Sequence, residues 1–417
     1  MALFLLQTTA CILPAVSAGI AQTGIFYYEL SNETFPNTGI VDMTESTGNE
    51  LLLLGASSDE GYSNPQPFYA RIGSKGEMII NKTFETSGLY NLNDIILLKD
   101  GSVKIFGSEQ SGGIFRPYTK SFDKNGESET SEATLTFNST LTGDACKTDE
   151  SHIVVAQTVM GSNGYYNISV YKYDTETAEQ VWFKKLKAES HEEANKLHLL
   201  GDSSILVAGK LYNDELTSYT SVIYKLSPDG EEMGKIIPSE VAPAFKSQAV
   251  TSDNNGEILY ISSYMDQENL TSMTQLLKLN PEGKVTVNAV LENIIANGIM
   301  RLQNGNFLIY GCHLRTEGMS IVTKSKILIL NTDLKIISEY EMSLIDRPDS
   351  ELPSLAMTMQ PTSSDFMTAI QMKDGRIACA GRLYMPVQTD PDSILTSPRY
   401  NRPYLVLFSD KGMLDTE

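Results

Sequence analysis

The feature that most restricts this chain is a repeat. Residues 99–108, KDGSVKIFGS, read as a turn at Asp100-Gly101, then a short alternating strand, then Gly107, where that strand ends or kinks. Related stretches recur as GNELLLLG, ESHIVVAQ, SSILVAG, GEILYIS, GNFLIYG and GRIACAG. Their closing positions are 55, 107, 156, 209, 262, 311 and 381, so the steps are 52, 49, 53, 53, 49 and 70. A second β-rich run ending in a polar turn keeps the same spacing: FYARIGSKGE, YTKSFDKNGE, SVYKYDTETAE, SVIYKLSPDGE, QLLKLNPEGK, KILILNTDLK and YLVLFSDKG. A short apolar run precedes each first motif, as in DIILL and GIMRL, and another follows the second, as in KVTVNAVL. Each unit therefore holds four short strands, A to D.

Seven units of about 50 residues and four strands each specify an all-β, seven-bladed β-propeller of antiparallel blades. No blade buries both faces of its sheet alone, so the blades stack around an axis and the ring must close. The chain stops at Glu417, just after strand C of unit seven, while residues 25–30 (IFYYEL) precede unit one without a partner. This N-terminal segment is expected to supply the outer strand of the last blade, which also protects an edge. One segment resists the pattern: residues 187–197 (KAESHEEANKL) look helical by propensity where the repeat demands strand A. The repeat is taken to prevail.

Composition limits the partners. Fifty-two acidic against 32 basic residues leave a formal charge of −20, which repels phosphate backbones and anionic lipid, so no nucleic acid or membrane-surface ligand is expected. Of four cysteines, Cys146, Cys312 and Cys379 have no metal-ligand spacing; buried free thiols are expected, with a Cys312–Cys379 disulfide as the alternative. Residues 1–21 read as a secretory signal peptide cleaved after Ala18 or Ala21, although no Lys or Arg opens it. Cys11 after Thr8-Thr9-Ala10 resembles a lipoprotein cleavage site without its usual Leu, and would carry a lipid anchor; a buried core segment is the other reading. No later stretch is long and apolar enough to span a bilayer. The expected location is extracytoplasmic (periplasmic, cell-surface or secreted), with residues 22–417 as one propeller domain, acting as a monomer.

Over residues 25–417 the chain resembles seven-bladed β-propellers of the bacterial secreted and lipoprotein type. It lacks the Trp-Asp pair of WD40 blades, the Gly-Gly of kelch and well-formed sialidase Asp boxes. Unit three, Asp174-Thr175-Glu176-Thr177-Ala178 leading to Trp182, resembles the quinoprotein blade motif with Ala in place of Gly. Occurring once, it implies shared blade packing and no quinone.

Propeller topology puts the tight A–B and C–D turns on one face and the B–C and D–A connections on the other, where function usually sits. Two connections exceed the rest, 343–365 and 383–403, both around blades six and seven. They carry Asp346, Arg347, Asp349, Glu351, Asp390, Asp392, Arg399, Tyr400 and Arg402, a set suited to a sugar or peptide: carboxylates accept hydroxyl hydrogen bonds, Arg donates a fork and the ring offers an apolar face. A structural cap over the blade edges is the alternative. Tyr62, Phe115, Tyr165, Tyr212, Tyr219 and Tyr264 lie on the same face. Near the channel mouth Asp94, Asp144, Asn195 and Asn297 start inner strands, either to cap them by hydrogen bonds, the preferred reading, or to hold calcium; no other cofactor is expected. Catalysis has little support: His152, His191, His198 and His313 have no metal spacing, and no nucleophile elbow, P-loop or dinucleotide fingerprint occurs. Five sequons, at Asn32, Asn81, Asn138, Asn167 and Asn269, matter only in a glycosylating host. The sequence thus points to a non-catalytic exported propeller that binds a protein or glycan on its long-loop face. The alternatives are a carbohydrate-active enzyme using channel-mouth carboxylates, or an envelope-assembly scaffold.

Overall fold

The computed structural model describes residues 25–27, 37–58 and 66–409, the last span without 75, 85–88, 112–113, 130–139, 163, 176, 178, 187–189, 214, 217, 239–246, 267–270, 318–319, 343–362 and 387–398. Strand β1 (Ile25–Tyr27) comes first. Blade one is β2 (Asn37–Glu45), β3 (Leu51–Ser58), β4 (Gln66–Ile72) and β5 (Met78–Thr83). Blade two is β6 (Leu89–Leu97), β7 (Val103–Ser111), β8 (Ile114–Phe122) and β9 (Ser128–Glu129); blade three is β10 (Thr140–Lys147), β11 (His152–Met160), β12 (Tyr166–Asp174) and β13 (Gln180–Lys185). Blade four holds β14 (Glu192–Leu199), β15 (Ile205–Tyr212), β16 (Tyr219–Leu226) and β17 (Glu232–Ile236), and blade five β18 (Ser247–Ser252), β19 (Ile258–Asp266), β20 (Thr271–Leu279) and β21 (Val285–Glu292). Blade six is β22 (Ile295–Arg301), β23 (Phe307–Glu317), β24 (Ser320–Leu330) and β25 (Ile336–Glu341). Blade seven consists of β26 (Ser363–Gln371), β27 (Ile377–Pro386), β28 (Arg399–Phe408) and, outermost, β1.

The fold is the expected seven-bladed propeller, and the closure is the expected one. Ile25, Phe26 and Tyr27 pair antiparallel with Val406, Leu405 and Tyr404, so the two ends of the chain share one sheet. The innermost strands touch in the order β2, β6, β10, β14, β18, β22, β26 and back to β2. The helical-looking segment before position 197 contributes β14 from Glu192 onward, because its inner-strand place is fixed by pairing with β15. Tertiary context overrides propensity there.

Each sheet is apolar on both faces, which explains runs such as Leu51–Leu54, all buried, where alternation would mark a half-exposed sheet. Seven hydrophobic layers result, one between each pair of neighbouring blades. Leu52, Leu54, Tyr69 and Phe84 of blade one meet Ile95, Val103, Ile105 and Phe122 of blade two, and Leu53, Phe68 and Ala70 meet Ala378, Ala380, Leu405 and Leu407 across the closing junction. Cys146, Cys312 and Cys379 are free thiols. Trp182 packs on the turn of the next blade, donating from Nε1 to the Pro228 carbonyl at 3.1 Å, and a side chain at Gly230 would press into its ring.

The repeated glycines have two separate causes. Gly101 sits at φ +85° in the A–B turn, donating to the Leu98 carbonyl at 3.1 Å, a backbone shape that L side chains resist. The strand-B glycines answer to something else. Counted from the A–B turn, Gly55, Gly107, Gln157, Gly209, Ser262, Gly311 and Gly381 are level, so the strands continue past this position. Beside it the inner strand carries a one-residue bulge in six blades, at Val41, Asn93, Thr142, Asn195, Asn297 and Met367. The bulge pushes a strand-A carbonyl toward strand B: a methyl at Gly55, Gly209, Gly311 or Gly381 would collide with the carbonyl oxygen of Gly39, Glu193, Ile295 or Asp365 respectively. In blade three, where Gln157 replaces the glycine, the inner strand supplies Gly143 opposite it. Blade five has Ser262 and an unbroken ladder.

Gly381→Ala should therefore destabilise the protein by about 3 kcal/mol through overpacking, and Ser262→Ala by about 1 kcal/mol or less, read from urea midpoints. Equal costs at the two positions would break the link between bulge and glycine.

Candidate functional site at the channel mouth

The bulges set what faces the channel. Three steps above each A–B turn, the inner strands place Asp42, Asp94, Asp144, Lys196, Ala249, Gly298 and Thr368 at one height. Asp94 and Asp144 thus lie midway along their strands, and Asn195 and Asn297 are bulge residues beside the same level. Each carboxylate reaches the next blade. Asp42 accepts from the Ile95 amide at 3.0 Å, Asp94 from Ala145 at 2.7 Å and Asp144 from Leu197 at 2.7 Å. Thr368 donates to Asp42 at 3.2 Å and Lys196 Nζ donates to Asp144 at 2.9 Å. A polar belt runs from blade seven through blade four in this way. Asn93 Nδ2 adds a bond to the Gly143 carbonyl.

The belt compensates its own charge. The Lys196 side chain keeps 43% of its exposure while Asp144 keeps 8%, as expected for an ammonium in a wet lumen over an enclosed carboxylate. Asp144, more than any other group, holds the Lys196 ammonium far above its usual range. Burial raises the carboxyl of Asp42, and burial together with Asp144 raises that of Asp94 further; Asp94 and Asp144 face each other within hydrogen-bonding range. Tyr310 of β23 reaches the same space across Gly298, where a side chain would collide with its hydroxyl; burial pushes its phenol up to about 12. Among the described residues no group of three or more His, Cys, Asp or Glu is arranged to hold a metal ion.

On the long-loop side of this level, between blades six and seven, lies a second polar centre. Asp365 of β26 stands directly opposite Arg382 of β27. Its carboxylate accepts from Asn297 Nδ2 at 2.8 Å, and the same amide donates to the Phe366 carbonyl at 2.8 Å. Burial pushes the Asp365 carboxyl up to about 6, against the pull of Arg382, Cys312 and Asn297.

A third set lines the rim of blades three and four. Tyr165 packs edge-on to His191 with ring centres 5.1 Å apart, and Tyr166 flanks the same imidazole at 5.2 Å. The Tyr166 amide donates to His191 Nδ1 at 3.1 Å, which fixes the ring. Tyr212 and Tyr219 meet at 5.2 Å, Lys210 lies over the Tyr219 ring at 5.2 Å, and the Tyr212 hydroxyl donates to Glu193 at 2.6 Å. All four tyrosines and His191 are half-buried.

Other residues singled out from sequence are placed as follows. Asp346, Arg347, Asp349, Glu351, Asp390, Asp392 and Tyr62 lie outside the described residues. Arg399, Tyr400 and Arg402 open β28 opposite Pro386, Met385 and Leu383, and Phe115 stands opposite Gln110. Tyr264 is half-buried at the long-loop end of β19, opposite Met273. Asn167 is 1% exposed and donates to the Tyr165 carbonyl at 2.7 Å, whereas Asn81 is exposed on β5. His152 bonds Asp149 and His313 bonds Glu341, both at 2.8 Å; His198, pushed down to about 4 by burial, bonds Ser252 at 2.9 Å. Sequence reasoning passed over Asp42, Lys196, Tyr310 and Arg382. Counting inward from each turn would have aligned Asp42 and Lys196 with Asp94 and Asp144.

No protein-family model matches the chain, and no curated protein matches it. Its fold is similar to the crystal structure of a protein of unknown function from Dyadobacter fermentans DSM 18053, at 11% identity and a TM-score of 0.51 over 92% of this chain and 100% of that one. It is also similar to polysaccharide lyase Uly1, at 11% identity and a TM-score of 0.53 over 92% of both chains. Likeness at this level is one of fold. No helix among the described residues is long and apolar enough to cross a membrane.

Asp94→Asn should change stability by about 1 kcal/mol or less, because the amide keeps the Ala145 bond and faces Asp144 as a donor. Asp144→Asn should cost about 2 kcal/mol, since it leaves Lys196 without its anion in a partly wet site. A carboxyl with a raised folded pKa stabilises the fold fully below its unfolded value near 4 and ceases to as pH rises through the folded value. Wild-type stability should accordingly fall over that interval, and less so in Asp94→Asn; denaturation midpoints at pH 4.5 and 7.5 read the difference.

Proposed function

We propose that this propeller is an extracytoplasmic binding protein for a glycan, which lies across the long-loop face. The observation that carries this reading is the rim of blades three and four, where Tyr165, Tyr166, His191, Tyr212 and Tyr219 put ring faces beside hydrogen-bonding groups of Glu193 and Lys210. Sugars present apolar C–H faces edged by hydroxyls, so a binding surface needs both kinds of contact within a few ångströms. Rings anchored by their own neighbours, as the His191 ring is by the Tyr166 amide, lose little freedom when a ligand arrives. Arg382, three blade steps away across the mouth and half exposed, supplies a polar contact at the far side. The leader-like N-terminal sequence supports export.

A hydrolytic reading has one observation in its favour, the Asp365 carboxyl near 6, the range of a general acid. The belt carboxylates favour it less, since backbone amides of the next blade and Lys196 already engage them.

Affinity electrophoresis through a panel of polysaccharides should show retardation by at least one of them. Tyr165→Ala and Tyr219→Ala should each weaken it about tenfold, equivalent to 1.4 kcal/mol, while Asn125→Ala on the turn face should not change it. Retardation indifferent to both tyrosines would remove the rim as the site, and new reducing ends released from the polysaccharide would replace the binding reading with the enzymatic one.

A further inference from the structure

The pair at the mouth between blades six and seven is unevenly matched. The Arg382 side chain is 50% exposed and reaches Asp365 Oδ2 only at 4.0 Å, while Asp365, at 16%, takes its close contacts from Asn297 at 2.8 Å and from the Cys312 thiol. The carboxylate faces inward and the guanidinium faces water. Two register steps toward the long-loop side, and therefore on the same face of the sheet, Ser363 and Tyr384 form a cross-strand pair in which Tyr384 is half-buried. An exposed fork of donors next to a tyrosine suits an oxyanion carried on a ring.

Among the described side chains around this pair, Arg382 is the one left to act as an anchor. The neighbouring basic side chains of blade six are engaged: Lys326 with Glu339 at 2.7 Å, Arg315 with Glu341 at 2.7 Å and His313 with Glu341 at 2.8 Å. Lys324 on β24 is buried. On the blade-one side, Asp42 is committed to Thr368 and the Ile95 amide. On a chain of net charge −20, an anion would be repelled from most of the surface, so a local exposed cation carries information about the ligand.

Resting on the glycan reading above, we propose that Arg382 anchors an acidic sugar of the bound glycan through its carboxylate or sulfate oxygens, with Tyr384 beside the ring and Asp365 as the internal anion that competes for the guanidinium. When Asp365 is protonated the arginine offers its full charge to the ligand. When Asp365 ionises, as its carboxyl does near pH 6, an anion 4.0 Å away reduces that offer. Acidic-glycan affinity should therefore decline across pH 6. Among the described residues the groups facing Asp365 are Arg382 on β27, Cys312 on β23 and Asn297 on β22.

The test uses the full chain and three hexasaccharide probes, a neutral galactan, an oligogalacturonate and a sulfated galactan, titrated calorimetrically at pH 5 and pH 7.5. Wild type should bind at least one acidic probe about tenfold more tightly than the neutral one at pH 5, with a smaller ratio at pH 7.5; the two acidic arms separate carboxylate from sulfate recognition. Arg382→Gln should bind neutral and acidic probes alike. Asp365→Asn, which keeps an acceptor for Asn297, should hold the acidic preference unchanged at pH 7.5. Neutral binding without an acidic preference, or a preference that survives Arg382→Gln, overturns the anchor and leaves the glycan reading standing. A pH dependence that persists in Asp365→Asn overturns the role of Asp365. Failure of all three probes at both pH values overturns both readings together.

Discussion

Much of this structure depends on one close approach, that of an inner-strand carbonyl to the backbone of the second strand. A propeller needs narrow inner strands around its axis, and a bulge at mid-strand bends them there. The bulge spends the space that a second-strand side chain would fill, so glycine stands opposite it at Gly55, Gly209, Gly311 and Gly381. The exceptions obey the same rule from either side: blade three moves the glycine to Gly143 on the inner strand, and blade five, with Ser262, has no bulge.

The bulge level also determines what lines the channel. Asp42, Asp94 and Asp144 each turn a carboxylate onto the next blade's amide, so one side-chain type joins blades one to four, and Lys196 balances the accumulated charge. Elsewhere other side chains take over: His198 with Ser252 between blades four and five, the Ser263 hydroxyl with the Ala296 amide between five and six, and Asn297 with Asp365 between six and seven. The belt carboxylates thus tie neighbouring blades together. What sets the Asp365 carboxyl apart from those of the belt is the exposed arginine beside it.

The ring was legible in the sequence because turn chemistry and apolar runs are local signals repeated seven times. Gly101 had to be a turn glycine, and the apolar Ile25–Tyr27 segment pairs with β28 at the outer edge of blade seven. The glycine at 107 was read as a strand end, whereas the strand continues past it to Ser111. Glu192–Leu199 looked helical because Glu, Ala, Lys and Leu favour helices, and only its place in the repeat argued otherwise. At the site, Asp94, Asp144 and Asn297 were visible by alignment of the units, whereas the pairing of Asp365 with Arg382 arises from strand register across 17 residues and carries no local signature.

The central claim, that a glycan lies across the long-loop face, is tested most directly by hydroxyl-radical footprinting of the full chain with and without a saturating oligosaccharide that it retains. The account predicts protection of Tyr165, Tyr166, Tyr212, Tyr219 and Tyr384, with the A–B turns around Gly101, Gly256 and Gly305 unchanged. Protection confined to the turn face, or to the outer strands, would contradict it.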